Sequence, residues 1–148
     1  MKIWARKGVW ASKKATQVVA ALRADTIEKI TVVRHAALGD MLLTRAFIIE
    51  ARKAFPNAQI TLSVLTNYTR GIPHDLIDHV HTISSPGVKK SIRERLAEIR
   101  ALGEQDIIFD LAASNRSTYL CLLSPAKLKI GFPYRRFQAR LIYDIATQ

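Results

Sequence analysis

Apolar and polar residues follow two different periods along the chain from residue 30 onward. Short runs rich in β-branched residues, such as ITVVR (30–34) and QITLSVL (59–65), are typical of strands. Longer segments with helical spacing separate these runs. The pattern predicts strands over 30–34, 59–65, 79–83, 106–110 and 127–132, and helices over 41–55, 88–103 and 114–124.

Strands that alternate with helices are expected to form a parallel sheet, because parallel neighbours need crossover connections. The sequence therefore predicts an α/β fold over residues 30–148: a doubly wound, Rossmann-like parallel sheet. Ligands of such sheets bind at the carboxyl ends of the strands. The candidate binding loops are HAALGD (35–40), TNYTRGIP (66–73) and LAASNRS (111–117).

Residues 1–29 lie outside this alternation and form a basic amphipathic N-terminal extension. One helical stripe is apolar and contains Ala11, Ala15, Val18, Val19 and Leu22, while lysines lie beside or opposite it. Trp4 and Trp10 precede the helix, where aromatic rings would lie at a bilayer interface. Two interpretations stay open: a helix packed on the domain, or a helix lying on an anionic membrane.

The charge balance indicates an anionic partner. The chain has 23 basic and 12 acidic residues among 148, a net charge of +11. Most of the excess lies in residues 1–29 and 127–148. No helix-turn-helix, zinc pattern or aromatic sheet face accompanies it, so we expect no nucleic-acid partner. The alternative function is a non-catalytic basic module that binds nucleic acid or an anionic membrane.

Two further features bound the environment of the protein. Cys121 is the single cysteine, which fits a reducing compartment and a buried, inert thiol. No apolar run has the length of a membrane span, so we expect a cytoplasmic protein.

His74 and Asp78 could share a helix face, but no third ligand is placed, and neither a metal nor a cofactor is predicted.

The Gly39–Asp40 pair stands between a strand and a helix. Neither the three glycines of a dinucleotide-binding loop nor the lysine of a Walker loop is present. The position of Asp40 alone favours a helix N-cap, whose carboxylate accepts hydrogen bonds from backbone amides. A second interpretation, a carboxylate that takes part in catalysis, depends on the wider set of motifs.

Those motifs resemble a known enzyme family. V-V-R-x-x-A-L-G-D-x-L-L-T (32–44) is followed by R-K-A-F-P-N-A-x-I (52–60), LIDHV (76–80), DIIFDL (106–111), Arg116-Ser117 and KLKIGF (127–132). In this order and spacing they resemble the ADP-heptose:lipopolysaccharide heptosyltransferases, glycosyltransferase family 9. The resemblance implies a two-domain glycosyltransferase fold of the B type, of which this chain is the N-terminal, acceptor-binding half.

The resemblance also implies a reaction and its partners. An inverting transfer would move heptose from the nucleotide-sugar donor ADP-heptose to a lipopolysaccharide core acceptor, at the inner face of the cytoplasmic membrane. The donor would bind mainly to a C-terminal half that this chain lacks, so we expect the chain alone to be inactive. A non-catalytic relic that folds poorly without that half is a further hypothesis.

The same resemblance assigns roles to individual residues. Asp40 would be the general base that takes the proton from an acceptor hydroxyl. Gly39 would allow close approach of the acceptor, and Arg116 with Ser117 would bind its carboxylate or phosphate. Further basic acceptor contacts would come from Lys89, Lys90, Arg93, Arg135 and Arg136. Ala112 and Ala113 depart from the family pattern, which leaves the identity of the acceptor open.

Overall fold

All five predicted strands and all three predicted helices are present in a computed structural model, which describes residues 9–35, 38–132 and 140–147. The elements are β1 (Val9–Ala11), α1 (Lys13–Ala21), a 3-10 turn (Ala24–Thr26), β2 (Lys29–Val33), α2 (Leu38–Ala54), β3 (Gln59–Leu65), β4 (His79–Ile83), α3 (Ile92–Arg100), β5 (Gln105–Asp110), α4 (Asn115–Leu123), β6 (Ala126–Gly131) and β7 (Ile145–Thr147).

Helix boundaries differ from the predicted ones for local reasons. Helix α3 begins at Ile92 and not at residue 88, because Ser91 and Glu94 form a capping box. It ends before Gly103, which adopts a positive φ of 70° that a side chain would disfavour. Helix α2 begins at Leu38, so Asp40 lies within its first turn and is not the residue before the helix.

The described strands form one sheet in the order β1-β7-β6-β5-β2-β3-β4. Every neighbouring pair is parallel except β1 and β7, which are antiparallel at the edge. From β2 the chain moves outward through β3 to β4, and then returns to β5 on the other side of β2. The topological switch point therefore lies between β2 and β5, where Val33 pairs with Asp110.

Helices cover both faces of this sheet. On one face α1 and α2 bury Ala15 and Ile48 against strand residues such as Val32. On the other, α3 and α4 bury Ile99 and Leu120 in a second apolar cluster. The predicted doubly wound α/β architecture is confirmed, and residues 105–108 of β5 are all buried, as a strand covered on both faces must be.

Residues 9–29 pack with the same sheet, in agreement with the interpretation of a helix packed on the domain. Strand β1 pairs with β7, and Ser12 caps α1 by accepting a hydrogen bond from the amide of Ala15. The predicted apolar stripe faces inward: Ala15 is fully buried, and Val18 and Val19 pack on the core. This stripe is therefore not free to insert into a membrane. None of the helices in residues 9–35, 38–132 and 140–147 is long and apolar enough to span one.

Candidate functional site

The loops that follow β2 and β5 lie side by side at the switch point and enclose an open cleft of about 630 Å³. A crevice at this place is where doubly wound sheets bind their ligands. Both polar and apolar side chains line the cleft. Its lining consists of Arg34, Asp40, Leu43, Thr44, Leu111, Ala112, Ala113 and Phe132.

Asp40 projects from the first turn of α2 and is open to this cleft. Its side chain is 43% exposed, and its Oδ1 lies 2.6 Å from Nη2 of Arg34. A carboxylate in the first helical turn also lies in the favourable field of the helix N-terminus. The N-cap interpretation does not fit, since the helix starts two residues earlier and the carboxylate is engaged by the guanidinium.

Arg34 connects the two loops that form the cleft. Its Nη1 donates a hydrogen bond to the carbonyl oxygen of Leu111, while its Nη2 pairs with Asp40. The guanidinium is only 19% exposed, and its Nε is buried without a partner among the described residues. A planar guanidinium held at two points fixes the direction of its ion pair. Arg34 belongs to the sequence motif, but nothing in the sequence indicated this bridging role.

Next to Arg34, His35 reaches toward the helix that follows β5. Its Nδ1 lies 3.4 Å from Oγ of Ser114, and its Nε2 is buried without a partner in the described part of the chain. Burial, together with the charges of His81 and Arg116, lowers the pKa of His35 to about 4. The imidazole is therefore neutral at pH 7.

The two residues predicted at the start of α4 have different surroundings. Arg116 is partly buried, and its Nη1 donates to the carbonyl oxygen of Ser84 at 3.2 Å, so part of its donor fork is in use. Ser117 is fully buried, and its hydroxyl donates to the carbonyl oxygen of Ser114 at 2.9 Å. That hydroxyl belongs to a capping box that starts the helix. Arg116 remains a candidate for binding an anion, whereas the geometry gives Ser117 a structural role.

Three further predicted acceptor residues that the structure describes do not line the cleft. Lys89 and Lys90 line a separate groove before α3, and Lys90 pairs with Glu98. Arg93 is exposed in the first turn of that helix. This groove follows β4, two strands away from β2 along the same carboxyl edge of the sheet. Arg135 and Arg136 lie outside the described residues.

Gly39 has open space in front of it. No atom of the described residues lies within 4 Å of the position that a Cβ would take, so their packing does not require glycine there. The described residues contain no group of three histidine, cysteine or acidic side chains that could hold a metal ion. The chemistry that the cleft offers is that of one accessible carboxylate beside one fixed guanidinium.

Comparison of the sequence with known proteins finds no matching family model and no matching curated protein. Comparison of the fold with solved structures does find matches. A glycosyl transferase of family 9 from Veillonella parvula aligns with a TM-score of 0.65 and 27% sequence identity, over 86% of this chain and 37% of its own length.

Two structures of the E. coli heptosyltransferase WaaC also match. The one with ADP-2-deoxy-2-fluoro heptose has a TM-score of 0.63 and 20% identity, over 78% of this chain and 41% of its own. The one with ADP has a TM-score of 0.59 and 18% identity, over 76% of this chain and 38% of its own. This chain thus spans about two fifths of these proteins. The resemblance to glycosyltransferase family 9 that the motifs predicted is confirmed: over the part that it spans, the chain has the fold of these glycosyltransferases.

Proposed function

We propose that this chain is the acceptor-binding half of an inverting, heptosyltransferase-like glycosyltransferase. Its acceptor would be a lipopolysaccharide core sugar, and its donor ADP-heptose. The observation that carries the proposal is the position of Asp40: an accessible carboxylate in an open cleft, at the switch point of a glycosyltransferase fold. Because the chain spans about two fifths of the matching structures, transfer itself would need a donor-binding half as well.

The proposed chemistry uses Asp40 as general base. Its carboxylate would accept the proton of an acceptor hydroxyl while that oxygen attacks the anomeric carbon of the donor. The bond between this carbon and the diphosphate would break on the opposite side, and ADP would leave with the bonding electrons. Arg34 would hold the carboxylate in the direction required for proton transfer, since its guanidinium is fixed on the carbonyl oxygen of Leu111.

Other residues would position the acceptor. Gly39 leaves space for a sugar to approach the backbone. The N–H groups of Arg116 that do not bind Ser84 could donate hydrogen bonds to a carboxylate or phosphate. Lys89, Lys90 and Arg93 could reach only a more distant charged group of a large acceptor, because they lie beyond the cleft on the same edge. Ser117 has no part in this proposal, because its hydroxyl is buried in a helix cap.

A peripheral position on the inner face of the cytoplasmic membrane would bring the site close to a lipid-linked acceptor. The net charge of +11 supports attraction to anionic head groups. The attraction would be electrostatic and not due to insertion of α1, whose apolar stripe packs on the sheet.

Asp40→Asn tests the catalytic role in two assays. The chain would be combined with a separately produced donor-binding half of a heptosyltransferase, ADP-heptose and a delipidated inner-core oligosaccharide, and the product measured by mass spectrometry. We expect Asp40→Asn to slow transfer by about 10² to 10⁴-fold, because the base is lost. Calorimetry should find the same affinity of the chain for the oligosaccharide.

Asp75→Asn is the matched control. Asp75 is also an exposed aspartate with an arginine partner, 2.7 Å from Arg45, but it lies outside the cleft. This substitution should leave both transfer and binding unchanged. Substantial transfer by Asp40→Asn would remove Asp40 as the base, and failure of the wild-type chain to bind the oligosaccharide would contradict the acceptor-binding role.

A further inference from the structure

Asp110, the last residue of β5, is a fully buried carboxylate that four donors surround. Its Oδ1 accepts hydrogen bonds from the amides of Ala112 and Ala113, at 2.9 and 3.1 Å. Its Oδ2 accepts a 2.6 Å hydrogen bond from the Tyr143 hydroxyl and a weak 3.8 Å contact from the Cys121 thiol. The carboxylate thus joins the loop after β5, helix α4 and the segment before β7.

A buried charge costs free energy unless strong hydrogen bonds compensate for it. Asp110 lies beside the apolar cluster of α3 and α4, where a leucine, with the same number of side-chain heavy atoms, would avoid that cost. A leucine could not, however, bind two consecutive backbone amides and so set the course of the following loop. The loop takes an uncommon turn there, because Ala113 has a positive φ of 47° without being glycine.

A continuous series of contacts runs from Asp110 to the cleft. The amide of Leu111 is bonded to the Val33 carbonyl oxygen, and the next two amides are bonded to Asp110. Between these anchors, the Leu111 carbonyl oxygen is held in place and accepts the hydrogen bond from Arg34. The same guanidinium holds Asp40.

Tyr143 is positioned as firmly as the carboxylate that it contacts. It is buried, and its ring packs so closely on Gly131 that a Cβ at that position would lie 2.4 Å from a ring carbon. Burial, with the neighbouring Asp110 charge, raises the pKa of Tyr143, so its hydroxyl stays protonated and donates at any physiological pH. The phenol is therefore a fixed donor to Asp110.

We infer that Asp110 and Tyr143 are positioning residues for Asp40: the buried carboxylate, fixed by the phenol, holds the loop that aims Arg34 and thereby the proposed base. The catalytic meaning of this inference rests on the proposed function, but the mechanical coupling does not. The coupling can be measured in the 148-residue chain without donor, acceptor or turnover.

The experiment records two signals by NMR in the wild-type chain and in Tyr143→Phe. One is the set of guanidinium ¹⁵N–¹H resonances of Arg34, which are distinct when rotation is restrained at two points. The other is amide hydrogen exchange at Ala112 and Ala113. Loss of a hydrogen bond to a charged group should speed exchange there by about tenfold or more beyond any change at Leu62 of β3. The Arg34 resonances should move toward those of a freely rotating guanidinium.

Ile108→Val is the control for general loss of packing. Ile108 is buried in the same strand and the same apolar cluster, but its side chain has no polar atom and makes none of the hydrogen bonds of the series. It should speed exchange evenly and leave the Arg34 resonances in place. Asp110→Asn serves as the second variant should Tyr143→Phe not fold, and it should also release Arg34.

Unchanged Arg34 resonances in the folded variant, or equal changes in Ile108→Val, would overturn the inference. If Tyr143→Phe frees Arg34 but leaves transfer unchanged, the coupling is real and its proposed catalytic meaning is refuted. Conversely, intact coupling in a chain that binds no acceptor would refute the function and leave the coupling established.

Discussion

The two edges of the sheet use aspartate in different ways. At the amino edge, three aspartates each bind a backbone amide of the neighbouring strand: Asp106 binds Glu28 and Lys29, Asp78 binds Ile60, and Asp144 binds Lys129. These carboxylates also have cationic partners, from Lys127, Arg52 and Lys14 respectively. They fix where one strand begins relative to the next.

At the carboxyl edge, the two aspartates Asp110 and Asp40 differ in burial and in their partners. Asp110 is fully buried and binds backbone amides, much as the aspartates of the other edge do. Asp40 has one guanidinium partner and remains 43% exposed toward a cleft. The comparison teaches that a carboxylate surrounded by donors is committed to the fold, whereas a carboxylate with a free oxygen is available to a ligand only where, like Asp40, it also faces a cleft.

The largest expected effect comes from breaking the amino edge with Asp106→Ala. The substitution leaves two backbone amides and Lys127 without their acceptor, and we expect a loss of about 4 kcal/mol in the free energy of unfolding, measured in urea at pH 7. The Arg34 resonances of the folded protein should not change. A loss below about 1 kcal/mol would contradict the structural role of this edge.

The same carboxylate should also contribute to acid unfolding. Burial alone would raise its pKa, but Lys127 and the amides of Glu28 and Lys29 outweigh burial and lower the pKa below the ordinary 3.8. A carboxyl with a lowered folded-state pKa stabilises the fold above its unfolded pKa and loses that effect as pH falls through the folded value. Part of the stability should therefore persist to pH below 4 and be absent in Asp106→Ala.

The next effect concerns His35 at the carboxyl edge. Its pKa falls from 6.5 in the unfolded chain to about 4 in the folded protein, so the unfolded chain binds more protons between these values. Stability should be complete above pH 6.5 and decrease on acidification, by about 3 kcal/mol at pH 4. Urea denaturation of His35→Gln across this range should show a flatter profile than the wild type. His79→Gln, at an exposed position, should keep the wild-type slope.

The smallest effect should come from the basic groove beyond the cleft. Replacing Lys89, Lys90 and Arg93 together by glutamine should weaken binding of a phosphorylated inner-core oligosaccharide by about threefold to tenfold and reduce its salt dependence. Calorimetry at two ionic strengths measures both changes. Identical affinities for wild type and variant would confine the acceptor to the cleft at the switch point.

Sequence periodicity predicted the central part of the fold well. The five strands of the alternating region are rich in β-branched residues, so the residue pattern alone predicts them as strands. Their predicted bounds agree with the structure within a residue or two. Strands β1 and β7 were missed, because VWA and IAT are three residues each and are defined by pairing: β1 with β7 across almost the whole chain, and β7 also with β6. No local pattern contains that information.

The site was predictable in part. The Gly39–Asp40 pair was identified by motif at the junction of a central strand and a helix, and the structure places it there, but inside the first turn of the helix and not before it. The roles of Arg34 and Asp110 were not found, because they depend on which loops the strand order makes neighbours. For Ser117, the sequence motif did not show that the hydroxyl takes part in the cap of α4.

The pairing of β1 with β7 has a consequence for synthesis on the ribosome. Val9 is synthesised long before its partner Thr147, because almost the whole described sheet lies between them in the sequence. The antiparallel pair of β1 and β7 therefore cannot form until both strands have been synthesised. Stalling or cleavage shortly before Asp144 should leave a nascent domain whose inner strands are formed and whose opening segment is still free for proteases to cut.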